Sequence, residues 1–455
     1  MKTQIAQVSV APSSLRTPML NTRDSTSPIG AKESDAPEGW EQVQLGELAD
    51  VKGGKRLPKG STFAKAPSPR PYIRVTDFEN WTVNTSDLRY LRNEDCEAIA
   101  RYIIRKEDVY ISIAGTIGLV GTVPEQLDGA NLTENAARLV ITDPSAVVRD
   151  YLISYLASPR GQREIEARTV RTSQPKLALA RIKTIPVLLP PFPEQRAIAG
   201  VLRTMQEAQE VCEKVLAATR QLKQSLLRHL FTYGSVPFAE AAHVPLQETE
   251  IGPMPATWRV ARIGELGEVI TGTTPSTKRP DFYGGPFMFI APGDIGSGKY
   301  IALAEKHLTA TGLAECRSLP RASVVVVCIG ATIGKVGLTV ENSGATNQQC
   351  NSVIPNDGVL AEFLFYAMSL RAQALPLLAG RAAIPIVNKS NFCDFRVPVA
   401  PLPEQREIAA QLSALDAKLA AEESRRAALA ALFQSLLHHL MTGRVRLPEF
   451  VKTKA

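Results

Sequence analysis

Residues 190–202 read PPFPEQRAIAGVL and residues 400–412 read APLPEQREIAAQL. The PEQR tetrapeptide, the Ile two positions after it and the Leu four further on recur in one register. Neither copy carries a nucleophile or a set of metal ligands. An echo of thirteen residues with no chemistry in it marks a structural joint that the chain builds twice.

The echo extends in both directions. Gln224-Ser225-Leu226-Leu227 returns as Gln434-Ser435-Leu436-Leu437, and His229-Leu230 as His439-Leu440, 210 residues on. Upstream, Pro37-x-x-Trp40 with Leu45-Gly46-Glu47-Leu48 returns as Pro255-x-x-Trp258 with Ile263-Gly264-Glu265-Leu266. Ala114-Gly115-Thr116-Ile117-Gly118 parallels Gly330-Ala331-Thr332-Ile333-Gly334, and Asn131-x-x-x-Asn135 parallels Asn347-x-x-x-Asn351. The offset drifts from 218 to 216 to 210, as small loop insertions produce. The chain is two copies of one unit, roughly 37–235 and 253–445, with a period far above the ~20–50 residues of a solenoid repeat. Two large copies imply pseudo-two-fold symmetry, a dimer fused into one chain. Between the shared markers the copies diverge.

Each unit has two parts. The first, about 150 residues, carries runs such as 108–123 and 322–340 that read as strands around a glycine turn. The second opens at PEQR. Pro193 and Pro403 stand where a first helical turn tolerates a missing N–H, and Glu194 and Glu404 suit the positive end of the helix dipole. Apolar residues then fall at Ile198, Leu202, Met205, Cys212, Val215, Leu222, Leu226 and Leu230. The second copy places them at Ile408, Leu412, Leu415, Leu419, Leu429, Leu432, Leu436 and Leu440. That three-four spacing predicts one helix of about 38 residues per copy, about 57 Å long at ~1.5 Å per residue. No globular head is wide enough to hide such a helix, so the pair is expected to pack as an antiparallel coiled coil. The expected fold class is α+β, with two pseudo-symmetric mixed heads joined by two long helices. Boundaries follow: a disordered tail over 1–36, a head over 37–191, a helix over 192–233, a linker over 234–254, a second head over 255–401, a helix over 402–443 and a tail over 444–455.

Composition sets outer limits. In 455 residues, apolar content is 44%, charged content 21% and net charge +7, with a pI near 9.0. A modest basic excess is compatible with a polyanionic partner and proves none. The six cysteines form no C-x-x-C pair, so free thiols are expected rather than a zinc site. The N-terminal residues hold no signal-peptide core, and the longest apolar run, 324–329, cannot span a bilayer. A soluble cytoplasmic protein is expected.

Two divergent heads, each followed by a P-[LF]-P-E-Q-R-x-I helix, resemble the specificity subunit of type I restriction–modification systems over about 37–445. The resemblance implies that each head is a target-recognition domain reading one half of a bipartite, asymmetric double-stranded DNA target. It implies helices that set the gap as a ruler and dock two methyltransferase subunits, with motor–nuclease subunits for cutting. The chain itself is then not an enzyme. It holds no cofactor, and S-adenosylmethionine, ATP and Mg2+ belong to partner subunits. Pseudo-symmetry is consistent with half-sites about one DNA turn, ~34–36 Å, apart. The long N-terminal tail departs from the pattern. Alternatives left open are a type IIB-like recognition subunit and a two-headed scaffold that never touches DNA. An enzyme with a site between the heads ranks last, since the copies share no acid/base or nucleophile set.

Candidate DNA contacts follow from side-chain chemistry. Asn and Gln suit adenine and Glu can accept from cytosine N4. These considerations single out Asn131, Thr133, Glu134 and Asn135, with Asn347, Gln348, Gln349 and Asn351; buried structural amides are the competing reading. Thr116 and Thr332 in the glycine loops, and Lys55, Arg56, Lys59, Arg171, Lys176, Arg381 and Lys389, are candidate phosphate contacts. Each basic stretch reads equally as a solvated face. Pro193, Glu194, Gln195 and Arg196, with Pro403, Glu404, Gln405 and Arg406, are expected at the helix starts, the Glu and Arg making head–helix contacts. GDIGSGKY (293–300) lacks the Ser or Thr of a nucleotide-binding loop and reads as a glycine turn beside Asp294. LPPF (189–192) lacks the amide of an amino-methyltransferase motif. His229 and the His438–His439 pair read as helix-end residues rather than metal ligands.

Overall fold

The apolar runs around the glycine loops form the central sheet of each head. The structure is a computed structural model, described here for residues 36–171, 173–296, 298–340, 344–379, 384–447 and 449. Residues 1–35 of the expected N-terminal tail and Arg381 lie outside the described residues, as does most of the expected C-terminal tail. In the first head Ala136–Ile141 pairs antiparallel with both Ala49–Gly53 and Val109–Ser112, and Val120–Gly121 adds beside the latter. In the second, Cys350–Pro355 lies between Gly267–Thr271 and Val324–Val327, with Val336–Thr339 next. Val324 to Val327 are buried on both faces, which suits β-branched side chains in a central strand. The second head adds Tyr300–Ile301 as a parallel edge strand, which the first lacks among the described residues.

A smaller sheet leans on each central one. Pro71–Ile73 pairs parallel with Ala130–Leu132 in the first head, and Tyr283–Ile290 with Ala345–Thr346 in the second. A two-stranded ladder then closes each head: Glu41–Gln44 on Pro186–Leu189, and Arg259–Arg262 on Arg396–Val399. The first and last strands of a head are thereby zipped together where its long helix departs.

The helices run over Phe192–Tyr233 and Leu402–Met441, 42 and 40 residues. The first is about 63 Å long at ~1.5 Å per residue. They lie side by side and antiparallel: Glu213 meets Arg426 at 3.5 Å, Arg220 meets Glu423 at 2.7 Å, and Lys223 meets Asp416 at 2.5 Å. The partner number falls as the residue number rises.

Each head grips both rods. The first core contains Ile198, Ala199 and Leu202 from the start of the first rod, and Phe433, Leu437, Leu440 and Met441 from the end of the second. The second core reverses this, with Ile408 and Leu412 beside Leu230 and Phe231. Burying two rod ends in each head ties head separation to rod length.

Candidate nucleic-acid interface

PEQR is the joint. Glu194, fully buried, accepts the Trp40 indole N–H at 3.2 Å, and Glu404 accepts that of Trp258 at 2.8 Å. This links the two halves of the repeated sequence, P-x-x-W and PEQR, by one hydrogen bond per copy. The next residue is the stronger clamp. Gln195 accepts from the Val148 N–H at 2.9 Å and donates to the Ala146 and Pro190 carbonyls at 3.1 and 2.9 Å. Gln405 repeats all three bonds with Leu360, Gly358 and Ala400 at 2.8, 3.1 and 2.9 Å. A buried amide with all these groups satisfied fixes the entry angle of a helix.

The expectation for the arginines is corrected. Arg196 and Arg406 are exposed and form no polar contact among the described residues. Residues 194, 195, 198 and 202 share one helical face, and a residue at 196 points away from it. Sequence reasoning missed a different arginine, Arg446, beyond the second rod. It donates to both Glu194 oxygens, at 2.8 and 2.6 Å. Glu404 instead accepts the Ser235 N–H at 3.1 Å. In each case the chain leaving the other rod returns to the glutamate.

The candidate contacts converge on a rim at one end of each head. In the first, the Lys55 N–H bonds the Leu132 carbonyl at 2.9 Å, and the Ala136 N–H closes a turn on the Thr133 carbonyl at 3.2 Å. The Asn135 carbonyl accepts from Ile113 and Ala114 at 2.8 and 3.2 Å, which brings up the Thr116 loop. Ala114 bridges to Lys176, beside Arg171. Gly54 has no room for a side chain, because a Cβ there would lie 2.0 Å from the Thr133 carbonyl oxygen. Lys55, Arg56, Lys59, Thr116, Asn135, Arg171 and Lys176 are all exposed on or next to this rim.

The second head repeats the frame. Thr273 bonds Thr346 at 2.9 Å, Cys350 bonds Asn347 at 3.1 Å, Cys328 bonds Gln349 at 2.8 Å and Gly330 bonds Pro385 at 3.0 Å. Thr332 and Gln348 are exposed there, and Lys389 opens the short helix Lys389–Cys393 that follows.

This frame corrects the register of the asparagines. Thr133, not Asn131, matches Asn347, since these two donate to the parallel neighbours Ile73 and Ile290. Asn131 is fully buried, its amide nitrogen 2.7 Å from the Ile99 carbonyl. Asn351 is buried and accepts from Thr271 Oγ1 at 2.7 Å. Thr133 is buried too, donating to Glu134 at 3.1 Å. These three serve the head interior and do not face a ligand. Asn347 and Gln349 bond each other at 3.0 Å and lock their turn.

At the exposed corner Arg56 Nε donates to Glu134 Oε1 at 2.7 Å. The matching pair in the second head is Thr274 Oγ1 donating to Gln348 Oε1 at 2.5 Å. Partial burial pushes the Glu134 carboxyl up, but the Arg56 and Thr133 bonds outweigh this and hold it below the usual range; Glu134 raises the Arg56 guanidinium in turn. Burial lifts the Tyr72 hydroxyl behind the pair to about 12.

Comparison with known proteins places this architecture. The family model described as the type I restriction modification DNA specificity domain matches residues 37–218 and again 255–431. The chain belongs to the type I restriction–modification specificity subunits. The two matches fall one within each unit of the internal repeat. The MjaIX specificity subunit of Methanocaldococcus jannaschii is 33% identical over 176 residues, 37% of this chain and 40% of that protein's length. A putative MjaX specificity subunit from the same organism is 21% identical over 422 residues, covering 90% of this chain and 95% of the relative. Among solved structures, the M. genitalium type I S subunit superposes with a TM-score of 0.58 at 17% identity, covering 88% of this chain and 96% of that one. A chain from a type I restriction–modification assembly gives 0.54 at 18% identity, over 90% and 100%. At those identities the structural likeness carries the specificity-subunit fold alone.

The loop at 293–300 holds a residue that sequence reading passed over. Lys299 is buried, donates to Ser413 Oγ of the second rod at 2.8 Å and lies 5.7 Å from the centre of the Tyr366 ring. Its place in this specificity subunit is a head–rod contact. Asp294 makes the expected turn, accepting from the Ala291 and Glu305 N–H groups at 2.7 and 2.9 Å.

Proposed function

We propose that this chain is the DNA-sequence-recognition subunit of a type I restriction–modification complex, with each head reading one half of a split, asymmetric duplex target. The observation that carries this reading is the pair of rims, identical in backbone frame and different in exposed side chains, held apart by an antiparallel helix pair. Equal frames place two readers in equivalent poses, and unlike side chains read unlike sequences. The basic residues of the first rim supply phosphate contacts, which position a duplex without reading it. The rods pack as a coiled coil and set the unread spacer. Their exposed Val211, Leu222 and Leu432 are apolar surface for two methyltransferase subunits, and motor–nuclease subunits join for cutting. Adenine methylation and ATP-dependent cleavage, with S-adenosylmethionine, ATP and Mg2+, belong to those partners, and the complex works in the cytoplasm.

The test is to express the chain with its cognate methyltransferase and sequence the host genome for N6-methyladenine. One bipartite motif is expected, and exchanging one head should change one half of it. Methylation unchanged by the exchange, or affinity for DNA that ignores ionic strength, would overturn the proposal.

A further inference from the structure

The two rims share a backbone, and among the positions where they differ each carries one braced pair at the same corner. Lys55 and Thr273 make equivalent bonds to Leu132 and Thr346, so Arg56 and Thr274 are equivalent, as are Glu134 and Gln348. Where a frame is kept and one exposed pair changes from ionic to neutral, the pair is not there for the fold. Surface ion pairs add about 0–1 kcal/mol in any case.

Chemistry says what each pair can read. The Arg56 side chain is 78% exposed, and among the described residues its Nε alone is engaged, on Glu134 Oε1. The two terminal nitrogens stay available as a rigid fork of parallel donors, which matches O6 and N7 of guanine. The brace is itself anchored. Glu134 Oε2 accepts from Thr133 Oγ1 at 3.1 Å, and behind it the Tyr72 hydroxyl, 3.3 Å away on a residue 3% exposed, donates to the Lys55 carbonyl at 2.9 Å and so ties down the loop that carries Arg56. A guanidinium held this way loses less rotamer freedom on docking than a free one. Lys55, its neighbour in the chain, and Lys59 are exposed on the same segment, where lysines can meet phosphates. In the second head, Gln348 sits at the corner of a turn locked by Asn347 and Gln349, with its carboxamide oxygen oriented by Thr274. A carboxamide offers one donor and one acceptor, the complement of N7 and N6 of adenine.

On the reading of the heads as DNA-recognising units, we propose that Arg56 reads a guanine in the half-site of the first head, with Glu134 as its positioning residue. Gln348, oriented by Thr274, reads an adenine in the half-site of the second. The exposed corner of the turn after the parallel strand is the base-reading position of each head.

The experiment uses the chain in complex with its cognate methyltransferase subunits. The wild-type motif is first taken from genome-wide N6-methyladenine, and competition binding then compares duplexes with single-base changes. Arg56→Gln should lose about 5- to 150-fold of the preference for one G·C pair, with selectivity in the other half intact. Glu134→Gln should weaken the same preference by a smaller factor at that base pair alone, and Arg56→Lys should not restore it. Gln348→Glu should relax one A·T pair in the other half. The proposal is overturned if Arg56→Gln weakens all duplexes alike with a shallower salt slope, if selectivity does not change, or if both halves change. A wild-type complex with no bipartite preference would instead bring down the DNA-recognition reading itself, and this assignment with it.

Discussion

Trp258 and Glu404 are 146 residues apart in the chain, yet the indole N–H lies 2.8 Å from the carboxylate oxygen. Trp40 and Glu194 form the same contact in the other copy at 3.2 Å. Each bond ties the entrance of a head to the start of its rod, and each glutamate also holds the chain that leaves the opposite rod. Head orientation therefore depends on these four residues at the head–rod joints.

Glu404→Ala leaves the Trp258 indole and the Ser235 N–H without their acceptor. Bonds to a charged acceptor contribute about 1.5–3 kcal/mol each, and partial exposure of Glu404 lowers the sum, so a loss of about 2–4 kcal/mol is expected. Glu404→Gln keeps an acceptor oxygen and should cost less than half as much. Urea unfolding followed by tryptophan fluorescence compares them; equal losses would refute the role of the acceptor.

Gly234 ends the first rod with φ +82, and a Cβ there would stand 2.3 Å from Glu404 Oε1. Gly39 has the same φ in open space. Backbone strain of this kind costs of order 1–3 kcal/mol, so Gly39→Ala should lose about 1 kcal/mol. Gly234→Ala carries the clash in addition and should lose roughly 2–3 kcal/mol. Thermal melts that rank the two alike would remove the clash from the account.

The head–rod contact differs in kind between the copies. Thr122 bonds the Trp81 carbonyl and Leu338 bonds the Lys299 carbonyl, at 3.0 and 2.9 Å, so these residues are equivalent. Trp81 packs on Phe433 of the second rod at 5.4 Å between ring centres. Lys299 joins Ser413, Tyr366 and the Lys223–Asp416 pair. Lys299→Ala should speed amide exchange across 361–371 by about tenfold and leave 149–157 unchanged, and Trp81→Ala should do the reverse. Exchange that rises in both segments for either variant would show that the two joints are not independent.

Burial pushes the Cys328 thiol up to about 11 and the Cys350 thiol to about 12, against an ordinary 9.0. Because the folded values are raised, their contribution is fully present below pH ~9 and is lost as pH rises through 11 and 12. The urea midpoint should fall across that window, and Cys350→Ala should blunt the fall without steepening it. A midpoint whose alkaline slope is the same with and without the Cys350 thiol would contradict this.

Local periodicity and the doubled PEQR made the rods, the two heads and the strand–glycine–strand runs legible, because helices and strands write their periods into the chain. The rim was half legible. Residue chemistry picked out Arg56, Glu134 and Gln348, but spacing paired Asn131 with Asn347, two residues out of register. A parallel strand pairing sets that register, and no local pattern encodes it. Asn131 looked like a reader because an amide that binds a base and one that binds the Ile99 carbonyl are the same in one dimension.

What the sequence determined alone is the doubling, the place where each rod begins and the rod lengths to within about four residues, the expected length of about 38 standing against 42 and 40. Helix starts and helical periods rest on contacts within a few residues. The tertiary structure decided which glutamate meets Arg446, which asparagines are buried and which side chains share a rim. Those outcomes depend on segments far apart in the chain, and only the closing of each head around both rods brings them within bonding distance.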